Sequence, residues 1–433
     1  MKWSNWSGSV RSTPTDILFP TSEEEIVEIV KKASKEEKKI RVIGSGHSFS
    51  RIVEIDEILV SLDKMQGIIS CDINEQTATV WAGTKLKSLG DGLFDRGLAQ
   101  ENMGDINVQS IAGALSTGTH GTGRSLGTLS TQILEVTFVN GSGEIITVSE
   151  SSNKVLYEAI CVSVGVVGVF TRVKLRLDKA YKLKEETRKE SLDDCLANWN
   201  EYSQKNRNFE FFWFPHTDTV QTKTLNFTDE GFKRHGWGKK IGDVLIEHWF
   251  FLLLSNMVKW FPSFSKRVAK ISAWGIANGS FVDWSHKIYA TQRSVRFYEM
   301  EYNVPIDHVK EVILDLRSMI IADDIKVHFP IECRFVKADG FMISPAYERD
   351  AAYIAVHQFR GMPYQEYFQK AESIFRKYQG RPHWGKINYK SALDFKELYP
   401  KWDEFNAIRK QQDPNGIFLN DYLELLMNDP GTD

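Results

Sequence analysis

The chain has 433 residues, 42% of them hydrophobic and 26% charged, and carries a formal net charge of -3. That length predicts two domains with substantial cores, and the small net charge excludes a nucleic-acid or anionic-membrane partner attracted by bulk electrostatics. Cys71, Cys161, Cys195 and Cys333 are far apart and form no C-x-x-C pair; this fits reduced thiols in a cytoplasmic protein, and no metal is expected.

The opening "MKWSNWSGSVRSTPTD" lacks the apolar core of a signal peptide. "DILFP" reads as a strand. "TSEEEIVEIVKKASKEE" follows as a helix capped by Thr21 or Ser22, with three glutamates where the helix dipole favours anions. The strand "KIRVIG" runs into the turn "GSGHSFS", and the alternation of "RIVEIDEILVSL" predicts a strand after it. A dinucleotide fingerprint would need a third glycine and a following helix, and both are missing. The successive N–H groups of Gly44, Ser45 and Gly46 still suit a phosphate.

"TATVWAGT" is a strand and "LKSLGDGLFDRG" a helix. "ILEVTFVNGSGEIITVSE" is a hairpin, and "VVGVFTRVKLRLDKA" closes the region as a half-buried strand. Between them, residues 101–133 hold a second glycine-rich turn, "SIAGALSTGTHGTG", bare enough to lie against a flat anionic ligand. After Asp178 the texture changes. "FEFFWFP", "TVQTKTLNF", "VRFYEMEYNV", "KVHFPIECRFV" and "AAYIAVHQF" are strand-like, and "IDHVKEVILDLRSMI" and "YQEYFQKAESIFRKY" are helical. That order predicts an α+β layer, an antiparallel sheet with helices on one face. Residues 243–264, "DVLIEHWFFLLLSNMVKWFPSF", are too short in apolar core to span a bilayer. They are expected to form a buried helix, the alternative being a helix in a membrane interface anchored by Trp249, Phe250, Trp260 and Phe261.

The motifs "GSGHS" and "SIAGALSTGTHGTG" resemble the flavin-binding turns of the vanillyl-alcohol oxidase family. The resemblance implies a two-subdomain PCMH-type FAD-binding domain over residues 1–178, an α+β cap with a mainly antiparallel sheet over 179–382, and a C-terminal segment, 383–433, that returns to the first domain. It also implies that His47 is bonded to the 8α-methyl of FAD. A neutral imidazole is a competent nucleophile toward that carbon. Gly44, Ser45, Gly46, Ser48, Gly104, Asp105, Ser110, Gly113, Gly118, Thr119, Gly121, Val169 and Asn420 are the further expected cofactor contacts, whereas His120 more naturally steadies its loop.

Three later motifs, "IECRF", "HWGK" and "FLNDYL", extend the resemblance to the sugar-lactone and alditol oxidoreductase branch. Glu332 and Arg334, two apart on a strand, leave one face together; such a pair is ordinarily a solvated ion pair, and Lys386 could equally mark a simple connection. The resemblance instead makes Glu332, Arg334 and Lys386 catalytic and, with Asp105, substrate-binding; His357, on the strand "YIAVHQF", is expected either to line the substrate pocket too or to be a satisfied core histidine. Glu332 would hold substrate hydroxyls, Arg334 would steady negative charge, and Lys386 would do the same or assist hydroxyl deprotonation. Asp105, where alditol oxidases of the branch carry serine, and "LNDY" at Leu419–Tyr422 both favour an aldono-1,4-lactone oxidised at C2 over a polyol. Gly104, at the place thought to gate dioxygen, favours an oxidase producing hydrogen peroxide over a dehydrogenase using another acceptor.

Overall fold

The computed structural model describes residues 2–233, 251–290 and 295–428. Its first part holds two larger sheets, besides the two-stranded pairs of Trp3–Ser4 with Arg11–Ser12 and of Leu98–Ala99 with Asp178–Lys179. Asp16–Leu18, Ile58–Ser61 and Ile40–Ile43 lie side by side in that order, all parallel. A parallel pair needs a crossover, and the helix Glu23–Lys35 supplies it. Ser22 caps that helix by accepting the Glu25 N–H, and Ile26, Val30 and Ala33 face inward. The second sheet is antiparallel, in the order Ile145–Ser149, Ile133–Val139, Val169–Arg176, Thr77–Trp81, Ile68–Asp72. Its first two strands are the expected hairpin, pairing Ile145 with Val139.

The largest sheet has eight antiparallel strands: Gly279–Trp284, Lys182–Ser191, Thr219–Phe227, Asn208–Trp213, Ile331–Val336, Ala351–Phe359, Phe297–Pro305 and Arg381–Pro382. Period-two alternation divides its faces. Phe211, Cys333, Ile354, Met300 and Tyr302 join the core beneath the helices Leu192–Lys205, Val309–Ala322 and Gln365–Lys377. The opposite face carries Glu210, Lys223, Glu332, Arg334, Glu299 and Glu301, and it too is largely buried. The α+β layer expected from the strand and helix order is therefore present. The C-terminal helices Ala392–Leu398, Trp402–Gln412 and Asp421–Met427 pack Phe395, Trp402, Phe405 and Leu423 into the same core as the first two sheets.

Two sequence expectations need correction. Residues 51–57 are not a strand: Arg51–Val53 form a 3-10 turn, and the strand starts at Ile58. Their carbonyls are taken by side chains, that of Ile52 by the Arg41 guanidinium and those of Arg51 and Glu54 by the Asn420 amide. In the apolar stretch 243–264, residues 243–250 lie outside the described residues. Residues 251–260 are helical but not buried all round: Val258 packs beside Phe49 and Val268, while Leu253, Trp260 and Phe261 are 67%, 75% and 60% exposed. Among the described residues no helix is long and apolar enough to cross a membrane.

Candidate active site

The first glycine turn follows directly from the parallel strand Ile40–Ile43. Gly46 takes φ +67°, and its carbonyl accepts the Trp6 N–H at 2.7 Å. A Cβ on Gly44 would stand 2.7 Å from Ser110 Oγ, so only glycine lets this turn close on the second one. Ser45 Oγ reinforces the closure by donating to Val108 O. His47 stacks on Trp6 with ring centroids 5.4 Å apart. Burial, aided by the positive charges of Lys386 and Lys85, pushes its pKa down to about 4. The imidazole is therefore neutral at pH 7, the form in which it has a nucleophilic lone pair.

Two cavities join at this turn. One, about 110 Å³, runs past Gly44, Ser45, Gly46, Ser110, Gly113 and Val169. Nothing lies within 4 Å of where a Cβ on Gly113 would be, so its bare backbone borders open space. The other cavity, about 620 Å³, lies between the turns and the polar face of the large sheet. Gly104, Asp105, Thr119, Glu332, Arg334 and Lys386 line it, and His47 and Ser48 border both cavities. A narrow groove floored by glycines opening into a wider chamber fits a dinucleotide flavin, with its phosphates on backbone N–H groups and its ring system beside His47.

The cap supplies a network of buried charges. Cross-strand register sets Arg334 opposite Glu210, and Glu210 lies 2.9 Å from its Nε. Arg334 Nη2 reaches Asp105 at 3.2 Å and also pairs with Glu332. Behind them Lys223 bonds Glu210 at 3.1 Å. Burial would raise the Glu210 pKa, but Lys223 and Arg334 outweigh it and hold the carboxyl below its usual range. Asp105 comes from the loop that leads into the second glycine turn, so its bond to Arg334 ties that loop to the large sheet.

Lys386 arrives from the segment after the last sheet strand. Phe49 N donates to Gly385 O at 2.7 Å and Ser50 Oγ to Trp384 O at 2.7 Å, which fixes the lysine beside the His47 turn. Its Nζ lies 2.6 Å from Glu299 and 3.9 Å from Glu301. His120, Glu301 and His383 offer three ligand atoms within 4.8 Å of one another. His383 Nδ1, however, accepts the Gly385 N–H at 3.0 Å, which places the ring proton on Nε2. His120 Nδ1 donates to Gly121 O at 2.8 Å, which directs its Nε2 at Glu301, 3.3 Å away.

With this geometry in hand, the comparisons decide the family. Residues 14–149 match the FAD binding domain family, and residues 173–426 match the family described as D-arabinono-1,4-lactone oxidase. The chain belongs to the D-arabinono-1,4-lactone oxidase family. It is 38% identical to L-gulono-1,4-lactone dehydrogenase of Mycobacterium tuberculosis over 426 residues, covering 98% of this chain and 99% of that one. It is 32% identical to L-gulonolactone oxidase of Bos taurus over 436 residues, covering 98% of each. The crystal structure of cholesterol oxidase from B. sterolicum shares the fold, with a TM-score of 0.81, 17% identity and coverage of 99% of this chain and 96% of that chain.

Within this family member, not every expected residue reaches the cavities. Asn420 caps the helix Asp421–Met427 and bonds the 51–54 turn. Gly121 packs its backbone against Asn102 and Met103, and Gly118, at φ +69°, turns beside Pro345. His357 sits behind the wall, with Nδ1 3.0 Å from Pro330 O and Nε2 3.5 Å from Glu299. Glu299, Glu301, His383, Trp6 and Lys87 line the large cavity and were absent from the sequence expectations. "YEMEY" spaces Glu299 and Glu301 like the "ECR" pair, and that was the signal available.

Proposed function

We propose that this protein oxidises the C2 carbinol of an aldono-1,4-lactone such as L-gulono-1,4-lactone, with FAD bonded to His47 and dioxygen as final acceptor. The products are an ascorbate-type compound and hydrogen peroxide. The observation that carries this reading is the 620 Å³ cavity in which His47 meets Glu332, Arg334 and Lys386. Lactone substrates are supported further by the names of both relatives, one an oxidase and the other a dehydrogenase. The unpaired Cys71, Cys161, Cys195 and Cys333 support a reducing compartment such as the cytoplasm.

FAD, when bound, supplies the two-electron acceptor for the carbinol hydride. The Glu332 carboxylate accepts hydrogen bonds from substrate hydroxyls and sets the carbinol carbon in place. Arg334, held by Glu210 and Asp105, keeps Glu332 oriented and offers a fixed positive charge where negative charge builds up. Its guanidinium is already engaged by three carboxylates, so the pocket suits a neutral, hydroxyl-rich substrate.

Anaerobic mixing with L-gulono-1,4-lactone should bleach the flavin absorbance, whereas xylitol should not; the reverse result would reject the lactone. The yellow colour should survive acid precipitation, and His47→Ala should release it into the supernatant. Colour that stays with the His47→Ala pellet would place the linkage elsewhere.

Gly104 bears on the acceptor. A Cβ there would stand 3.3 Å from His120 O and 3.5 Å from Thr119 Cγ2, close enough to narrow the cavity wall without breaking the loop. Gly104→Ala should therefore fold, slow reoxidation by dioxygen, and leave reduction of dye acceptors intact. Unchanged oxygen kinetics in stopped-flow would remove Gly104 from the oxygen path.

A further inference from the structure

Glu299 and Glu301 lie two apart on the strand Phe297–Pro305 and face the cavity from its cap side. They are 7% and 4% exposed. The Lys386 ammonium lies between them, 2.6 Å from one and 3.9 Å from the other. Burial works against its charge, but the two carboxylates outweigh burial and push its pKa up. A general base must offer a lone pair near neutral pH, and this lysine has none. Glu299 is braced in turn, because His357 stands 3.5 Å behind it with its other ring nitrogen on Pro330 O.

We propose that Glu299 is a positioning residue that fixes Lys386 as an ammonium, so that Lys386 acts on the substrate as a hydrogen-bond donor and the carbinol proton passes to solvent water rather than to this amine. This rests on the reading of Lys386 as an active-site residue. One N–H of the ammonium is used by Glu299, leaving two for a substrate oxygen. The other ionisable groups facing Lys386 are Glu301 on the same strand, Asp105 on the loop between the turns, His47 on the first turn and His383 on its own segment. Glu299, at 2.6 Å, forms the contact ion pair with Lys386.

The test compares Glu299→Gln, Glu299→Asp, Lys386→Met and the double variant Glu299→Gln/Lys386→Met. Flavin reduction is followed anaerobically by stopped-flow across pH. Losing its partner lowers the Lys386 pKa, so Glu299→Gln should acquire a new ionisation between about pH 7 and 10. Because the ammonium is the working form, the rate should fall as pH rises through it. The rate at its plateau should drop on the order of tenfold, with substrate affinity changed less. Lys386→Met and the double variant should lack the new ionisation, and Glu299→Asp should restore most of the wild-type profile.

A rate that instead rises with pH in Glu299→Gln would make Lys386 the base and overturn the proposal, as would an unchanged profile. Should Glu299→Gln not accumulate as folded protein, Glu299→Ser decides by a shift of the same sign, and no shift counts against the proposal. A second readout separates this claim from the proposed reaction. Without substrate, the flavin absorbance of Glu299→Gln should gain a pH transition that the double variant lacks. If no lactone reduces the wild-type flavin, the function fails while this transition still tests Glu299.

Discussion

Arg334→Leu should lower stability by about 3–5 kcal/mol at pH 7, the usual cost of leaving buried charges without their partner. The guanidinium serves Glu210, Asp105 and Glu332 at once. With it gone, Lys223 still neutralises Glu210, but Asp105 and Glu332 face each other across an apolar leucine. Arg334→Lys should cost less, since a charge remains without the planar fork. The sign of the pH dependence follows from Glu210, whose pKa in the folded protein is held below its ordinary value by Lys223 and Arg334 despite burial. That contribution is present in wild type above the unfolded carboxylate pKa and is lost as pH falls. In Arg334→Leu the stranded carboxylates protonate more readily, so the gap between variant and wild type should shrink toward about pH 5. Urea unfolding at the two pH values measures this. A loss below about 1 kcal/mol at pH 7 would mean that the cluster is solvated like a surface ion pair.

Glu332→Ala tests the chemistry without removing a cation. The side chain is buried at the cavity wall, and its neighbours in the sheet are Phe212 and Ala355. Flavin binding should persist, because the approach of Gly44 to Ser110 and the bonds that hold the His47 turn to residues 384–385 do not involve Glu332, while flavin reduction by lactone should slow by about 10²–10³-fold. Near-normal anaerobic reduction would exclude Glu332 from the reaction. Glu332→Gln separates charge from shape, and a rate closer to wild type than that of Glu332→Ala would assign the effect to hydrogen bonding.

The flavin half of the molecule was legible because its signals are local. Bare backbone in "GSGHS" and "SIAGALSTGTHGTG" must serve close approach, and Gly44 against Ser110 is such an approach. The cap was legible where strands alternate and opaque where they do not. "KLKEETRKES" is a ten-residue strand, Lys182–Ser191, paired on both sides, yet it has one apolar residue, Leu183. Its many charges show no alternation, because charge marks a strand only once the neighbouring strands are known. Glu299 and Glu301 were opaque for a related reason. On sequence alone, two acids on a strand suggest solvent. They become a cation site only when the sheet buries them and the 383–386 turn brings Lys386 to the same place. Arg41 shows the reverse: a lone arginine in a strand gives no hint that it donates to Val164, Gly165, Ile52 and Phe418 carbonyls.

The stitching between the His47 turn and residues 384–385, together with the Arg41 and Asn420 bonds to and from the last turns, has a consequence for biogenesis. In chain order the glycine loops are made long before residues 384–420, so during synthesis they lack the partners that Gly385, Trp384 and Asn420 supply. A nascent chain stalled before Trp384 would carry every glycine of the cradle without the bonds that fasten it.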